Sequence, residues 1–460
     1  MRWLAVVMLA ACGGRAAAPP VANRPLGTAA AAPRPWTLGL ADAAAGLVGD
    51  RVFAWDRAWA DGGGGIAEYD AADGHLVRTR TIVDAGVNGA PEFWEAVPGG
   101  YLTSWDAPTM IREVGDRLEV AWRGAGDDWF DSHAIVDGSV VIGQSRDHAA
   151  VVRLELATGR VQWRAPLVVW SQDITVAAVD GVVYATWQEY DPKAPTPTVS
   201  VPRRLRAYEL ATGRALWTVD FAEEPEGLVA SRGVVVAGGR DRLRFLDGAT
   251  GAVRAEAAVA PLNGRLLIDA DQVIAIDAHD VVALALASGA ERWRTPARFD
   301  GRPVLARWAD AILVSTDAGK LVALDRRTGA TRWSIGLGLE PYQIWTSATA
   351  VVVNNGVVAG TVLPPTAAGE SARIHGRVVD GGCGAVATSV VTVDGERVTV
   401  GADGAYSATV VARGLVVVSA RPDPDDGVQW MGQLREALAT VALDGRGDYP
   451  VEDLPVGRCR

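Results

Sequence analysis

Cysteine and histidine are scarce in this 460-residue chain, which contains three of the first and five of the second. The cysteines are Cys12, Cys383 and Cys459, and the histidines are His75, His133, His148, His279 and His375. No two cysteines are adjacent, and no pair of these residues has the spacing of a metal site. The sequence also has no phosphate-binding loop or nucleophile elbow in a suitable context. The sequence therefore predicts neither a metal centre nor a familiar catalytic motif.

An excess of basic residues is also missing. The chain has 55 acidic residues against 44 Lys plus Arg, and its formal net charge is -11. This balance argues against a nucleic-acid partner, which requires a basic surface. After the N-terminus no apolar run approaches the roughly 18 residues that span a bilayer. Because 49% of residues are nonetheless hydrophobic, we expect them in many short buried strands.

The first residues have the pattern of an export signal. Arg2 precedes the apolar run Trp3 to Ala11, and the run ends in Leu9-Ala10-Ala11-Cys12. This ending resembles the bacterial lipobox, which implies that residues 1–11 are a signal peptide and that Cys12 is lipidated. Gly13 after the cysteine then suggests the outer membrane. The alternative is an ordinary signal peptide with an incidental cysteine. Residues 12–34, rich in Ala and Pro, are predicted to be a flexible tether.

One short pattern recurs along most of the chain. It consists of an apolar strand, a D/E-x-x-T-G turn and a tryptophan four residues after the glycine. Copies with the tryptophan in place end at Trp163, Trp217, Trp293 and Trp333. Weaker copies place Arg78, Trp122 and Ala255 in the tryptophan position. These positions lie about 40 residues apart, which is the size of a propeller blade.

Further apolar runs and Asp-Gly turns in each period indicate four short antiparallel strands. The fold class is therefore predicted to be all-β, with a β-propeller over residues 35–365. The segment Trp36 to Leu40 resembles the strand around Trp333 but follows no blade of its own. We therefore predict that it completes the last blade and closes an eight-bladed propeller. Seven blades is the alternative, because the copy around Glu113 is poor.

These repeats resemble the A-x-D-x-x-T-G-x-x-x-W repeats of pyrroloquinoline-quinone (PQQ)-type propellers. The resemblance implies that the tryptophans pack between neighbouring blades; they are Trp36, Trp163, Trp217, Trp293 and Trp333. That family includes quinoprotein alcohol dehydrogenases and the cofactor-free lipoprotein BamB. Quinoproteins of this type carry adjacent cysteines, which this chain lacks. We therefore expect a non-enzyme without a cofactor or metal.

Three polar segments leave alternatives open. The group Asp127, Asp128, Asp131 and His133 is either a solvated inter-blade loop, which we favour, or a metal site. Asp423 to Gly427 lacks the full calcium-loop pattern and is predicted to be a surface turn. The proline-rich segment Gln188 to Arg203 is predicted to be an extended loop on one face of the propeller. It is either a partner-binding loop or a tolerated insertion.

A different β pattern begins after the polar linker 366–370. Residues 371–460 contain Gly376-Arg377-Val378-Val379-Asp380 and Asp403-Gly404-Ala405-Tyr406. They resemble the carboxypeptidase-regulatory-like, transthyretin-type fold, which implies a small β-sandwich of the immunoglobulin or transthyretin kind. In an exported chain, Cys383 and Cys459 are expected to form a disulfide, with two free thiols as the alternative.

Together these features predict a monomeric, non-catalytic lipoprotein of the cell envelope that binds a protein partner through its propeller, loosely like BamB. The lipid anchor would hold it at the outer membrane, on the periplasmic face or the cell surface. No nucleic-acid partner is expected. The alternatives are a surface adhesin or glycan-binding protein and, less favoured, a quinoprotein-type dehydrogenase.

Overall fold

The structure is a computed structural model. It describes residues 36–39, 45–56, 65–72, 74–83, 94–104, 107–124, 129–145, 148–167, 171–188, 203–221, 227–239, 241–277, 279–297, 303–316, 320–336, 343–347, 350–354, 357–360, 371–380, 389–393, 396–411, 415–422, 434–435, 437–442, 448–451 and 453–458. The predicted signal peptide, lipidated Cys12 and tether lie outside these residues, as do Cys383, Cys459, the inserted segment 189–202 and Asp423 to Gly427.

The described residues of the first four-fifths of the chain are all strand and turn. The strands are β1 (Trp36–Gly39), β2 (Ala45–Val48), β3 (Arg51–Asp56), β4 (Gly65–Asp70), β5 (Leu76–Val83), β6 (Trp94–Val97), β7 (Gly100–Ser104), β8 (Pro108–Val114), β9 (Arg117–Arg123), β10 (Trp129–Val136), β11 (Ser139–Ser145), β12 (Ala150–Glu155), β13 (Val161–Pro166), β14 (Gln172–Val179), β15 (Val182–Gln188), β16 (Arg203–Glu209), β17 (Ala215–Phe221), β18 (Gly227–Ser231), β19 (Val234–Gly238), β20 (Leu243–Asp247), β21 (Val253–Ala257), β22 (Pro261–Asp269), β23 (Gln272–Asp277), β24 (Asp280–Ala285), β25 (Glu291–Pro296), β26 (Leu305–Trp308), β27 (Ala311–Ser315), β28 (Lys320–Asp325), β29 (Thr331–Gly336), β30 (Gln343–Thr346), β31 (Val351–Asn354) and β32 (Val357–Gly360).

Blades two to six, together with parts of blade one, belong to one compact unit of the chain. Each has four strands in chain order: β6 to β9 in blade two, β10 to β13 in blade three, β14 to β17 in blade four, β18 to β21 in blade five and β22 to β25 in blade six. The second strand of a blade is covered on both faces, and every residue of β11 and β19 is buried. The outermost strand is half covered, and Trp163 is the buried residue of β13. Burial thus decreases from the second strand to the outermost strand of a blade. This explains why a continuous apolar run is followed by a segment of alternating apolar and polar residues in each period of the sequence.

Tight turns connect the first and second strands of the blades. In blades three and four, Asp137-Gly138 and Asp180-Gly181 are two-residue turns, since Val136 pairs with Ser139 and Val179 pairs with Val182. Both residues of each turn have positive φ, as a type I′ turn requires. The predicted Asp-Gly hairpins are therefore present.

The second compact unit contains most of blade one, blades seven and eight, and the C-terminal residues. Blade seven is the sheet β26-β27-β28-β29. The last blade has the order β1-β32-β31-β30, with Trp36 paired to Gly360 and Gly39 paired to Val357. The N-terminal strand thus completes the last blade, as predicted.

The prediction of eight blades is confirmed, and the seven-bladed alternative is wrong. Within the described residues there are six separate four-stranded propeller sheets and one eight-stranded sheet. The eight-stranded sheet consists of blades one and two, which meet where β5 pairs in parallel with β9 at Ile82 and Leu118. The repeat around Glu113 is therefore a true blade despite its weak sequence match.

The C-terminal residues form a two-sheet β-sandwich. Its strands are β33 (Ser371–Asp380), β34 (Ser389–Val393), β35 (Glu396–Val398), β36 (Ala405–Val411), β37 (Leu415–Pro422), β38 (Leu434–Arg435), β39 (Ala437–Ala442), β40 (Asp448–Pro450) and β41 (Leu454–Arg458). One sheet has the order β36-β33-β41-β38, with β40 also paired to β33, and the other has the order β35-β34-β37-β39. Buried side chains between them include Ile374, Val391 and Val418. The finer transthyretin-type assignment stays a prediction.

Candidate functional site

The repeated tryptophan contacts the turn of the following blade. Trp163, on the outer strand of blade three, donates its indole Nε1–H to the carbonyl oxygen of Leu210 in blade four at 2.7 Å. Its ring covers Gly213 of the same turn, where a Cβ atom would lie 2.7 Å from the indole. A hydrogen bond and a close ring contact therefore join the two blades at one point.

The same contact occurs on both sides of this pair of blades. Trp217 donates to the carbonyl oxygen of Gly248 at 3.0 Å, and Trp122 donates to that of Leu156 at 2.8 Å. Trp122 was not among the residues that the resemblance assigned to blade packing. Its turn, Gly115-Asp116, has only two residues, because Val114 pairs with Arg117. The shorter turn changes the spacing from glycine to tryptophan, which makes this copy of the repeat hard to recognise in the sequence.

A β-bulge is the local feature that precedes these tryptophans. In blade three, Arg153 pairs with Trp163 and Leu154 pairs with Val161, so Gln162 is the extra residue. Blade two has the same bulge, with Ala121 before Trp122. The extra residue shifts the strand's alternation by one position, which helps to direct the indole to the neighbouring blade. A bulge leaves no clear sequence signal, so only the spacing of the tryptophans marks the pattern in the sequence.

Blade five also packs an aromatic ring against the turn of the following blade, but this ring comes from the third strand instead of the fourth. Ala255 stands in the tryptophan position, and its partner across the strand pair is Phe245. Phe245 is fully buried, and a Cβ atom added to Gly289 would lie 3.1 Å from its ring. In blades four and six the arrangement is reversed, with Ala207 opposite Trp217 and Ala283 opposite Trp293. In blade five the aromatic ring therefore lies on the third strand and the alanine on the fourth, which is the reverse of blades four and six.

The remaining assigned tryptophans also lie on outer strands. Trp293 and Trp333 are 7% and 8% exposed. The ring of Trp333 meets that of Trp308 edge-on, with centroids 6.3 Å apart. Trp36 lies in β1, but its side chain is outside the described part of the structure.

The acidic residue of each repeat organises the turn that the tryptophan covers. The Asp247 carboxylate accepts hydrogen bonds from the backbone N–H of Ala249 at 3.0 Å and of Thr250 at 2.8 Å. Arg254 binds its other oxygen. These donors, with the Arg254 side chain the strongest, lower the pKa of the Asp247 carboxyl to about 2. The pKa of Asp325 is lowered in the same way by Arg332.

This pKa shift predicts a small acid-sensitive contribution to stability. The carboxylate stabilises the fold above its unfolded pKa of about 3.9, and the contribution is lost as the pH falls from about 4 to about 2. The carboxylate is only partly covered and is screened by solvent, so the contribution is small. We expect Asp247→Asn to unfold at lower urea concentration than wild type at pH 7 and at the same concentration at pH 2. A difference that does not depend on pH would contradict this assignment.

The two ends of the blades differ in their connections. At one end, called the turn end, lie the two-residue hairpins and the tryptophan-covered turns. At the other, called the loop end, the chain passes from blade to blade and from the second strand to the third. Gln188 and Arg203, which border the insertion 189–202, lie at the loop end of blade four.

Polar side chains concentrate at the loop end of blades three and four. Asp131 accepts hydrogen bonds from the Ser145 hydroxyl at 3.0 Å and from the Ile174 N–H of blade four at 2.9 Å. The Ser132 hydroxyl donates to the Ile174 carbonyl oxygen at 2.7 Å and accepts from the Val176 N–H at 2.9 Å. The inner strands of the two blades are therefore joined by side chains, which gives this part of the loop end a rigid base.

The predicted solvated loop is wrong for Asp131 and His133. Both lie within β10, His133 is buried, and its Nε2 is 2.9 Å from a carboxylate oxygen of Glu95 in blade two. Asp127 and Asp128 are outside the described residues. Among the side chains that the structure describes, no group of three or more His, Cys, Asp or Glu could hold a metal ion.

A polar last residue on the second strand is a further feature that sequence reasoning missed. The Asp277 carboxylate accepts from the Ala260 N–H at 3.1 Å, and the Ser315 hydroxyl accepts from the Val304 N–H at 2.8 Å. Both donors lie just before the first strand of the same blade. A single polar residue ending each buried apolar run was the available signal. The role is structural, because it satisfies the backbone where the chain enters a blade.

The fold defines the chain as a β-propeller, and its repeats resemble those of the PQQ type. A family model described as outer membrane protein assembly factor BamB matches residues 202–363. BamB from Moraxella catarrhalis is 16% identical, with a TM-score of 0.49, over 71% of this chain and 95% of that chain. No curated protein matches the chain in sequence.

Two other solved structures show the fold alone. The computationally designed protein Ika8 is 15% identical, with a TM-score of 0.55, over 71% of this chain and 98% of its own. Sqt1 from Saccharomyces cerevisiae is 11% identical, with a TM-score of 0.51, over 71% of this chain and 97% of its own. At these identities the chemistry of a site cannot be transferred from one chain to the other.

Proposed function

We propose that this chain is a non-catalytic scaffold of the cell envelope that binds a segment of another protein at the loop end of blades three and four. The observation that carries the proposal is the side-chain network of Asp131, Ser132 and Ser145, which ties two blades together at the end where Gln188 and Arg203 border the insertion. Binding loops are most effective when a rigid base positions them. The match of residues 202–363 to the BamB family supports a role in protein assembly at the outer membrane.

The chemistry of the described surface supports binding rather than turnover. Asp131 and His133, at the loop end of blade three, are engaged with a backbone N–H of blade four and with Glu95 of blade two. No helix in the described part of the chain is long and apolar enough to cross a membrane. Attachment through a lipid on Cys12 is part of the proposal, and so is placement at the outer membrane.

The test is site-specific photocrosslinking of the intact protein in membranes. A photoreactive amino acid is placed at His148 or Asp220, which are exposed at the loop end of blades three and four. Matched controls carry it at Arg160 or Arg214, which are exposed at the turn end of the same blades. We expect a discrete protein adduct from the loop-end positions and none from the turn-end positions.

A second comparison tests the anchor. The Cys12→Ala form is expected to lose the adduct together with its membrane fraction. Equal crosslinking from both ends, or adducts only with polysaccharide, would contradict the proposed function. In the second case the glycan-binding alternative replaces it.

A further inference from the structure

The strand that completes the eighth blade is not connected to its sheet by a turn. β1 pairs with β32 over four residues, from Trp36 to Gly39. Other outer strands follow their partner through a tight turn; in blade three, Gly159 N–H donates to the Glu155 carbonyl oxygen at 2.8 Å within that turn. β1 has no such turn, because it comes from the opposite end of the chain. Its pairing must therefore overcome the closure entropy of the whole propeller.

The C-terminal sandwich lies against this closure. β39 contacts β1, and β37 contacts β29, the outer strand of blade seven. β37 and β39 are themselves neighbours in one sheet, paired from Leu415 and Ala442 to Ala420 and Ala437. Two hydrogen-bonded strands of the sandwich thus contact the outer strands of two successive blades.

We propose that the C-terminal sandwich is a clamp that holds the N-terminal strand on the eighth blade. A four-residue edge strand has few hydrogen bonds of its own and frays readily. Contact with β39 adds a second surface to β1, and contact between β37 and β29 fixes that surface to the neighbouring blade. The sandwich therefore closes the propeller from outside, in the place of the hairpin turn that β1 lacks.

This arrangement also explains why the sandwich core must stay intact. Val416, Val418 and Ala420 of β37 are fully buried in the sandwich. They hold the sheet that contacts the propeller. Loss of this core is expected to free β1 while the blades that are distant from it in sequence remain folded.

Hydrogen exchange on the full-length chain tests the clamp. Val418→Asp places a charge in the sandwich core and unfolds it. We expect the amides of residues 36–39 and 357–360 to exchange about tenfold faster or more in this variant, and those of β20 in blade five to keep their rate. The unchanged blade serves as the internal control.

A second preparation avoids any folding defect. A protease site is placed in the linker 366–370, and the folded chain is cut after purification. We expect the sandwich to co-elute with the propeller in gel filtration, and the amides of 36–39 to lose protection when mild urea separates the two. Unchanged exchange at 36–39 after loss of the sandwich, in either preparation, overturns the proposal.

Discussion

Replacing Gly213 by alanine is expected to lower the free energy of unfolding by about 3 kcal/mol or more. Two costs combine at this position. Gly213 has a φ of +72°, a conformation that an L residue adopts only with strain. The added Cβ atom would also lie 2.7 Å from the indole of Trp163. Urea unfolding followed by circular dichroism measures the change.

The matched control is Gly181→Ala in the same blade. Gly181 has a φ of +77° but no atom within 4 Å of the position of its missing Cβ. This variant therefore reports the backbone cost alone, which is about 1–2 kcal/mol. Equal losses in the two variants would show that the contact between Trp163 and the turn contributes nothing.

The number of blades, their closure by the N-terminal strand and the Asp-Gly hairpins were predictable because they depend on local periodicity. Gly138 and Gly181 have positive φ, which glycine adopts without strain, so an Asp-Gly pair in the sequence indicates such a turn directly. The copy at Trp122 was the hardest to recognise, because a two-residue turn replaces the longer one. The contact itself is unaffected, since Trp122 still donates to Leu156.

The polar residues of the loop end were less predictable, for a physical reason. Asp131 and His133 stand in a sequence segment rich in acids, which favours a loop, yet tertiary contacts place both in a strand. Asp131 is the extra residue of a bulge in β10, and His133 is covered by the neighbouring blade, where it meets Glu95. Bulges and partners from another blade are not encoded within a short window of sequence.

Truncation of Phe245 to alanine is expected to cost about 3–5 kcal/mol of unfolding free energy, because the ring is fully buried and its loss leaves a cavity. The adjacent change Ala255→Trp introduces the residue that most other blades carry at this position. In the wild-type background it is expected to destabilise by about 1–3 kcal/mol, since Phe245 already occupies the space against Gly289. Urea unfolding of each variant measures both effects.

The double variant decides whether the two residues really exchange roles. With Phe245 removed, the indole of Ala255→Trp can enter the space as Trp217 does against Gly251 in the preceding pair of blades. We therefore expect the double variant to be more stable than Phe245→Ala alone, with a favourable coupling of about 0.5–3 kcal/mol. Strictly additive losses would show that Phe245 is an ordinary core residue, and that blade five has lost the contact instead of moving it across the strand pair.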